Sequence, residues 1–215
     1  MKRVCIVCEG PTEVEFVRSC LAPYLISANV LAFPSLLQAP SGRHRGGRVT
    51  VERLVRFMSH QYHEADRLTT LVDFYGFQDR DGRSRTELET AILDGVAQRT
   101  TGFDARFVLP YVQMHEFEGL LFSDVEQFEW VQDGWNESTH AALAAVRAAF
   151  PGPEDINDSP ETAPSKRLLK IFGAATYSKT EHGPLIAEAI GLDAIRQQCP
   201  QFDDWVSKLQ AWGHD

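Results

Sequence analysis

The chain predicts an α/β fold: a mainly parallel sheet flanked by helices, followed by a helical C-terminal extension. Three observations carry this. Short β-branched apolar runs alternate with segments of helical period through the first half of the 215 residues. Beyond residue 122 the strand-like runs stop, and helical stretches are separated by Pro151, Pro153, Pro160, Pro164, Pro184 and Pro200. The composition, 43% hydrophobic and 24% charged, is that of a chain able to bury a core.

The first strand is Val4 to Cys8, ending on Glu9. Gly10-Pro11 turns the chain, and Thr12 with Glu15 has the spacing of a capping box. Val14, Val17, Leu21 and Leu25 give the next helix its apolar stripe, to about Asn29. Val30 to Leu37 reads as a second strand broken by Pro34, Ala39 to Gly47 as a loop, and Thr50 to Glu64 as a helix. Leu68 to Phe74 is a strand that stays apolar until Asp73. A polar loop with Asp79, Asp81 and Gly82 leads to a helix from about Ser84 to Thr100. Arg106 to Val112 is a further strand, and His115 to Phe122 opens a helix at its end. The boundaries are one domain over 1–215, with an α/β core over 1–122 and a helical extension over 123–215 packed on it. That extension holds an Ala-rich helix to Phe150 and further pieces from Pro164, about Glu181 and Asp193, with a last one to Trp212.

Bulk properties exclude several classes. No run of 18 apolar residues is present, and the five-residue apolar run at the start is too short for a signal peptide. A net charge of −9 argues against coating nucleic acid non-specifically, although Arg43, Arg45 and Arg48 form a dense basic cluster that can meet a phosphate backbone. Cys5 and Cys8 have C-x-x-C spacing, but residues three apart on a strand point to opposite faces, so buried thiols in a reducing, cytoplasmic setting are expected. No P-loop pattern occurs, and no Ser or Cys stands beside a convincing base.

Acids end three predicted strands: Glu9 with Glu13, Asp73, and Glu116 with Glu118. A parallel sheet brings alternating strand ends to one edge, where α/β proteins bind ligands. Carboxylates gathered there repel and take raised pKa values unless a cation joins them, and oxygen donors suit Mg²⁺ or Mn²⁺. Two such ions about 4 Å apart clamp both oxygens of a phosphodiester displacement. The plainer reading is that these acids cap helices and complement their dipoles.

Glu9-Gly10-Pro11-Thr12-Glu13 after an apolar strand resembles the first motif of TOPRIM domains, particularly those of OLD-family nucleases. Leu71-Val72-Asp73 is similar to the second motif, and Glu116-Phe117-Glu118 to a later acidic one. The whole chain also resembles the family known as domain of unknown function 4276, through His115 to Glu118, Pro160 to Arg167 and Cys199 to Trp205. The resemblance implies a TOPRIM-like core and metal-dependent cleavage of DNA or RNA. Glu9, Asp73 and Glu118 would be metal ligands, with Glu13 and Glu116 in supporting roles and Lys179 or Lys166 on the phosphate. It further implies a part in bacterial defence against phage beside a separately encoded ATPase, with a homo-oligomer a further option.

The second motif is ordinarily Asp-x-Asp, whereas Tyr75 stands here in place of the second Asp. One firm and one weak metal site follow, with Asp79 or Asp81 as substitutes from the loop. The rival reading is a non-catalytic, partner-binding subunit whose metal site is degraded at Tyr75. His115 is expected to be a hydrogen-bonded structural residue or else a ligand, and His182 has a weaker claim. Trp130, Trp135, Trp205 and Trp212 are expected in the helical core.

Overall fold

Strand order in the sheet is β2-β1-β3-β4, with β5 also paired to β3, and every pairing is parallel. A computed structural model describes residues 1–37, 49–157, 159 and 161–215. β1 (Lys2–Cys8) lies between β2 (Val30–Leu36) and β3 (Arg67–Asp73), so it is buried on both faces as its continuous apolar run requires. Pro34 does not break β2. It pairs in register with Ile6 on an edge strand, where its missing N–H leaves no ladder bond unmade.

The expected strand at residues 106–112 is shorter and interrupted. β4 (Val108–Leu109) and β5 (Val112–Gln113) both pair with β3, separated by Pro110 and Tyr111. Thr70 bridges the gap: Tyr111 N–H donates to its Oγ1, which in turn donates to the Tyr111 carbonyl, both at 2.7 Å.

The two sheet faces are covered by different parts of the chain. α3 (Val51–Gln61) and α4 (Arg85–Arg99) pack on the face bearing Cys5 and Val7. Thr50 and Ser84 cap them by accepting the N–H groups of Arg53 and Glu87. The face bearing Val4, Ile6 and Cys8 carries the first helix run and the C-terminal helices. That run is α1 (Pro11–Phe16), a π-helical turn (Val17–Leu21) and α2 (Ala22–Ile26). After Gln113 come the 3₁₀ segments Phe117–Ser123 and Val125–Gly134, then α5 (Glu137–Ala148) and α6 (Pro164–Phe172). α7 (Lys179–Ile190), α8 (Leu192–Gln198) and α9 (Pro200–Ala211) close the fold. Trp205 stacks on Tyr111 at 4.5 Å and donates its indole N–H to Thr69 on β3, so α9 is fastened directly to the sheet.

Cys5 and Cys8 fall into opposite cores, as the strand period demands, and their thiols are pushed up by burial, that of Cys5 to about 11. Trp205 and Trp212 are buried, but Trp130 is 46% exposed, which corrects its assignment to the core. Among the described residues no helix is long and apolar enough to cross a membrane.

Candidate functional site

The acids do meet at the carboxyl edge of the sheet. α1 begins at Pro11 with Gly10 as its N-cap, two residues earlier than the Thr12–Glu15 spacing suggested. Glu13 is the residue that closes this turn, its Oε2 accepting the Gly10 N–H at 2.8 Å. A Cβ on Gly10 would stand 3.1 Å from that oxygen, so the residue between strand and helix must be small. The turn delivers Glu9 and Glu13 to the same side.

Backbone N–H groups hold Glu9, Asp73 and Glu116, and a lysine holds Glu118. The Asp73 N–H donates to Glu9 Oε2 (3.2 Å), and Asp73 Oδ1 accepts the Phe117 N–H (2.9 Å). Glu116 Oε2 accepts the N–H of Ser165 at the start of α6 (2.9 Å). Glu118 is 2% exposed, and its Oε1 lies 3.0 Å from Lys179 Nζ. Gly183, one turn beyond Lys179, lets α7 approach closely. A Cβ there would press on Thr12 Cγ2 at 3.3 Å and Phe117 Cε1 at 3.4 Å. Close packing of α7 on α1 and on the Phe117 segment therefore brings Lys179 to the acids.

Electrostatics show how crowded the group is. Burial pushes Asp73 well above the usual carboxylate range, and the charges of Glu13, Glu9, Glu118 and Glu116 add to it. Glu13 is raised to about 7, first by burial and then by Glu9 and Glu118. Glu9 and Glu118 also rise through burial, against the pull of Lys179. For Lys179 burial disfavours the ammonium, but Glu118 and Glu116 outweigh it and the net direction is up. Five carboxylates thus share one cation held by a direct ion pair.

The donor set fits a hard divalent cation. Every donor is a carboxylate oxygen, their mutual repulsion is relieved by positive charge, and the nearby Tyr177 hydroxyl is buried without a partner. Among the described residues no group of three or more His, Cys, Asp and Glu side chains is arranged so that it could hold a metal ion. A Mg²⁺-type ion keeps several waters and needs only one or two carboxylates directly.

Other expectations fare differently. Lys179, not Lys166, is the lysine at the acids; Lys166 is exposed on α6. Asp79 caps α3 by accepting the Val51 N–H, and Asp81 is exposed beside Arg83, so neither replaces the missing second Asp. Tyr75 lies against His115, with ring centroids 5.4 Å apart. His115 has a left-handed backbone (φ 55°), a buried Nδ1 without a partner, and a pKa lowered by burial, so the expected hydrogen bond is missing at that nitrogen. Arg43, Arg45 and Arg48 lie outside the described residues.

Three contributors carried no sequence signal that marked them. Gly76 is required because a Cβ would collide with the Glu9 carboxylate, 2.8 Å from its Oε1. Arg53 on α3 donates to the Leu37 carbonyl and feels the charge of Glu9. Tyr177 is 3% exposed, and the charges of Glu118 and Glu116 add to the burial that pushes its hydroxyl well up.

Comparison with known proteins gives one family and one set of similar folds. No curated protein matches the chain. Solved structures of the C-terminal region of the Xanthomonas campestris pv. campestris OLD protein are similar. The iodine-phased one is 15% identical with a TM-score of 0.45, covering 96% of this chain and 97% of that one. The platinum-phased one is 16% identical with a TM-score of 0.43, covering 100% and 98%. Residues 8–210 match the model of a family described as a domain of unknown function, DUF4276, and the chain belongs to that family.

Proposed function

We propose that the chain is a Mg²⁺- or Mn²⁺-dependent phosphodiesterase of TOPRIM type acting on DNA or RNA. The observation that carries this reading is the convergence of Glu9, Glu13, Asp73, Glu116 and Glu118 on one buried sheet edge with Lys179 at its rim. When bound, the divalent ion would offset phosphate charge and supply Lewis acidity. Glu9, Asp73 and Glu118 would hold it. Glu13, raised to about 7, can hold or release a proton at its Oε atoms near neutral pH. Glu116 is held through Oε2 by the Ser165 N–H, and its other oxygen can orient water. Lys179, whose side chain is 40% exposed, can meet a phosphate oxygen at the rim and stabilise charge developing there. The reading extends to a separately encoded ATPase as partner and a role in defence against phage.

A second reading, a partner-binding subunit without catalysis, is favoured by Tyr75 in the second-motif position and by the Lys179–Glu118 pair, which already neutralises one acid. One experiment separates them. Purified protein is incubated with Mg²⁺ or Mn²⁺ and plasmid DNA, single-stranded DNA or tRNA, beside Glu9→Gln. Cleavage lost in the variant supports the enzyme. No cleavage, with no metal binding by calorimetry, sinks it.

A further inference from the structure

Along the first two turns of α7, from Glu181 to Leu185, lies a cleft of about 330 Å³. Trp130, Gln132, Asp133, Glu181, His182 and Leu185 line it. Its volume is at the lower end of ligand pockets, about 300–1,000 Å³, and suits one nucleoside. We propose that this cleft is a nucleobase subsite, taking an unpaired base next to the phosphate at Lys179; the proposal rests on the nucleic-acid reading above.

Four features point to a planar, uncharged ring with N–H donors. First, stacked rings lead to the cleft from the core: Phe128 on Phe172 (5.9 Å), Phe172 on Tyr177 (6.1 Å) and Tyr177 on His182 (5.7 Å), each pair 21° from parallel. The series ends on His182, and a base lying on it adds one more ring. Second, two of the large apolar side chains most exposed on the molecule, Trp130 at 46% and Leu185 at 43%, form the cleft's rim. Apolar groups left open in this way suit stacking, which tolerates any base.

Third, the charged lining is acidic. Asp133 and Glu181 repel a phosphate but accept hydrogen bonds from ring and amino N–H groups. Guanine offers two adjacent donors on its Watson–Crick edge and thymine one, so guanine is favoured, and the edge must be free of a pairing partner. His182 Nδ1 accepts the Ser178 N–H at 2.9 Å, which holds the imidazole in a fixed orientation for stacking. Fourth, Gln132 holds a left-handed backbone (φ 48°, ψ −96°) that is costly for a residue with a side chain, and this bend turns the Trp130 segment along the cleft.

The cleft and the cation share a helix. Lys179 and His182 are three residues apart on α7, so their Cβ atoms are neighbours at about 5–6 Å. A nucleotide can therefore rest its base on His182 and its phosphate at Lys179.

The test uses nucleosides, which carry no phosphate, in EDTA, with the full chain and ligand-observed NMR. Guanosine should bind at least about fivefold more tightly than thymidine. Trp130→Ala and Leu185→Ser, both at half-exposed positions and checked by thermal melts, should each weaken guanosine about tenfold. Asp133→Asn should erase the preference for guanosine. Equal affinity for the two nucleosides, no binding of either, or unchanged affinity in the folded variants overturns the subsite. The wild-type cleavage assay is read separately. Cleavage without a guanosine preference removes the cleft and leaves the nuclease, whereas a preference without cleavage does the reverse.

Discussion

Two buried groups of carboxylate in this protein are built on opposite plans. Glu154 is 5% exposed and satisfied at both oxygens: Gln201 N–H donates to Oε2 (2.9 Å) and Phe202 N–H to Oε1 (3.0 Å). It caps the start of α9, where a negative charge complements the helix dipole. The acids at the sheet edge receive single backbone N–H groups or one lysine and face one another. A buried acid of the first kind is complete and serves the fold. A cluster of the second kind carries mutual repulsion that its partners leave largely uncompensated. The difference lies in partners and not in burial.

Breaking the second group should cost function and spare the fold. Glu9→Gln and Asp73→Asn should lower metal-dependent cleavage by about a hundredfold or more, with melting temperature held or raised, because each removes a repelling charge. Lys179→Ala should lower the cleavage rate by about ten- to a hundredfold with a smaller change in KM, measured by single-turnover kinetics.

The metal-free protein should show that repulsion as a pH dependence. Glu13 rises from 4.5 to about 7 on folding. Its contribution is fully present below the unfolded value and lost as pH climbs through the folded one. Stability in EDTA should thus fall between about pH 4.5 and 7, by at most roughly 3 kcal/mol from this group. Glu13→Gln should flatten the slope, and Mg²⁺ should reduce it in the wild type. Urea melts across that range, with and without Mg²⁺, measure both.

Breaking the first group should do the opposite. Glu154→Ala leaves two N–H groups at α9 unsatisfied and should destabilise by about 1–3 kcal/mol, while the folded fraction cleaves normally. The smallest effect belongs to Lys166→Ala, exposed on α6, with stability within about 0.5 kcal/mol and an unchanged cleavage rate. A large loss there would reverse the assignment of the rim cation.

The strand-end acids were legible because β1 and β3 are apolar runs that stop on a carboxylate, and a parallel sheet aligns such stops. Lys179 was legible only as one of two candidates, since its placement depends on how α7 packs on α1 through Gly183. Gly76 and Tyr177 were not legible. A glycine in a turn and a tyrosine between helices look the same in sequence whether or not a carboxylate faces them. β2 and the interrupted β4 and β5 depart from the expected strands for local reasons, edge position at Pro34 and side-chain bridging by Thr70. Glu154 was overlooked for a related reason: its partners lie 47 and 48 residues further on, across a turn no local spacing encodes.

The ion pair between Glu118 and Lys179 joins residues 61 positions apart, and this bears on when the site comes into being. The carboxylates are all made by residue 118, but the ammonium waits for α7. On the ribosome, a chain grown through the sheet alone carries the anions without their countercharge and without the helix that seals them. The lysine that faces the acids is therefore acquired well after all of them, and a product ended before α7 carries the carboxylates without the ammonium that pairs with Glu118.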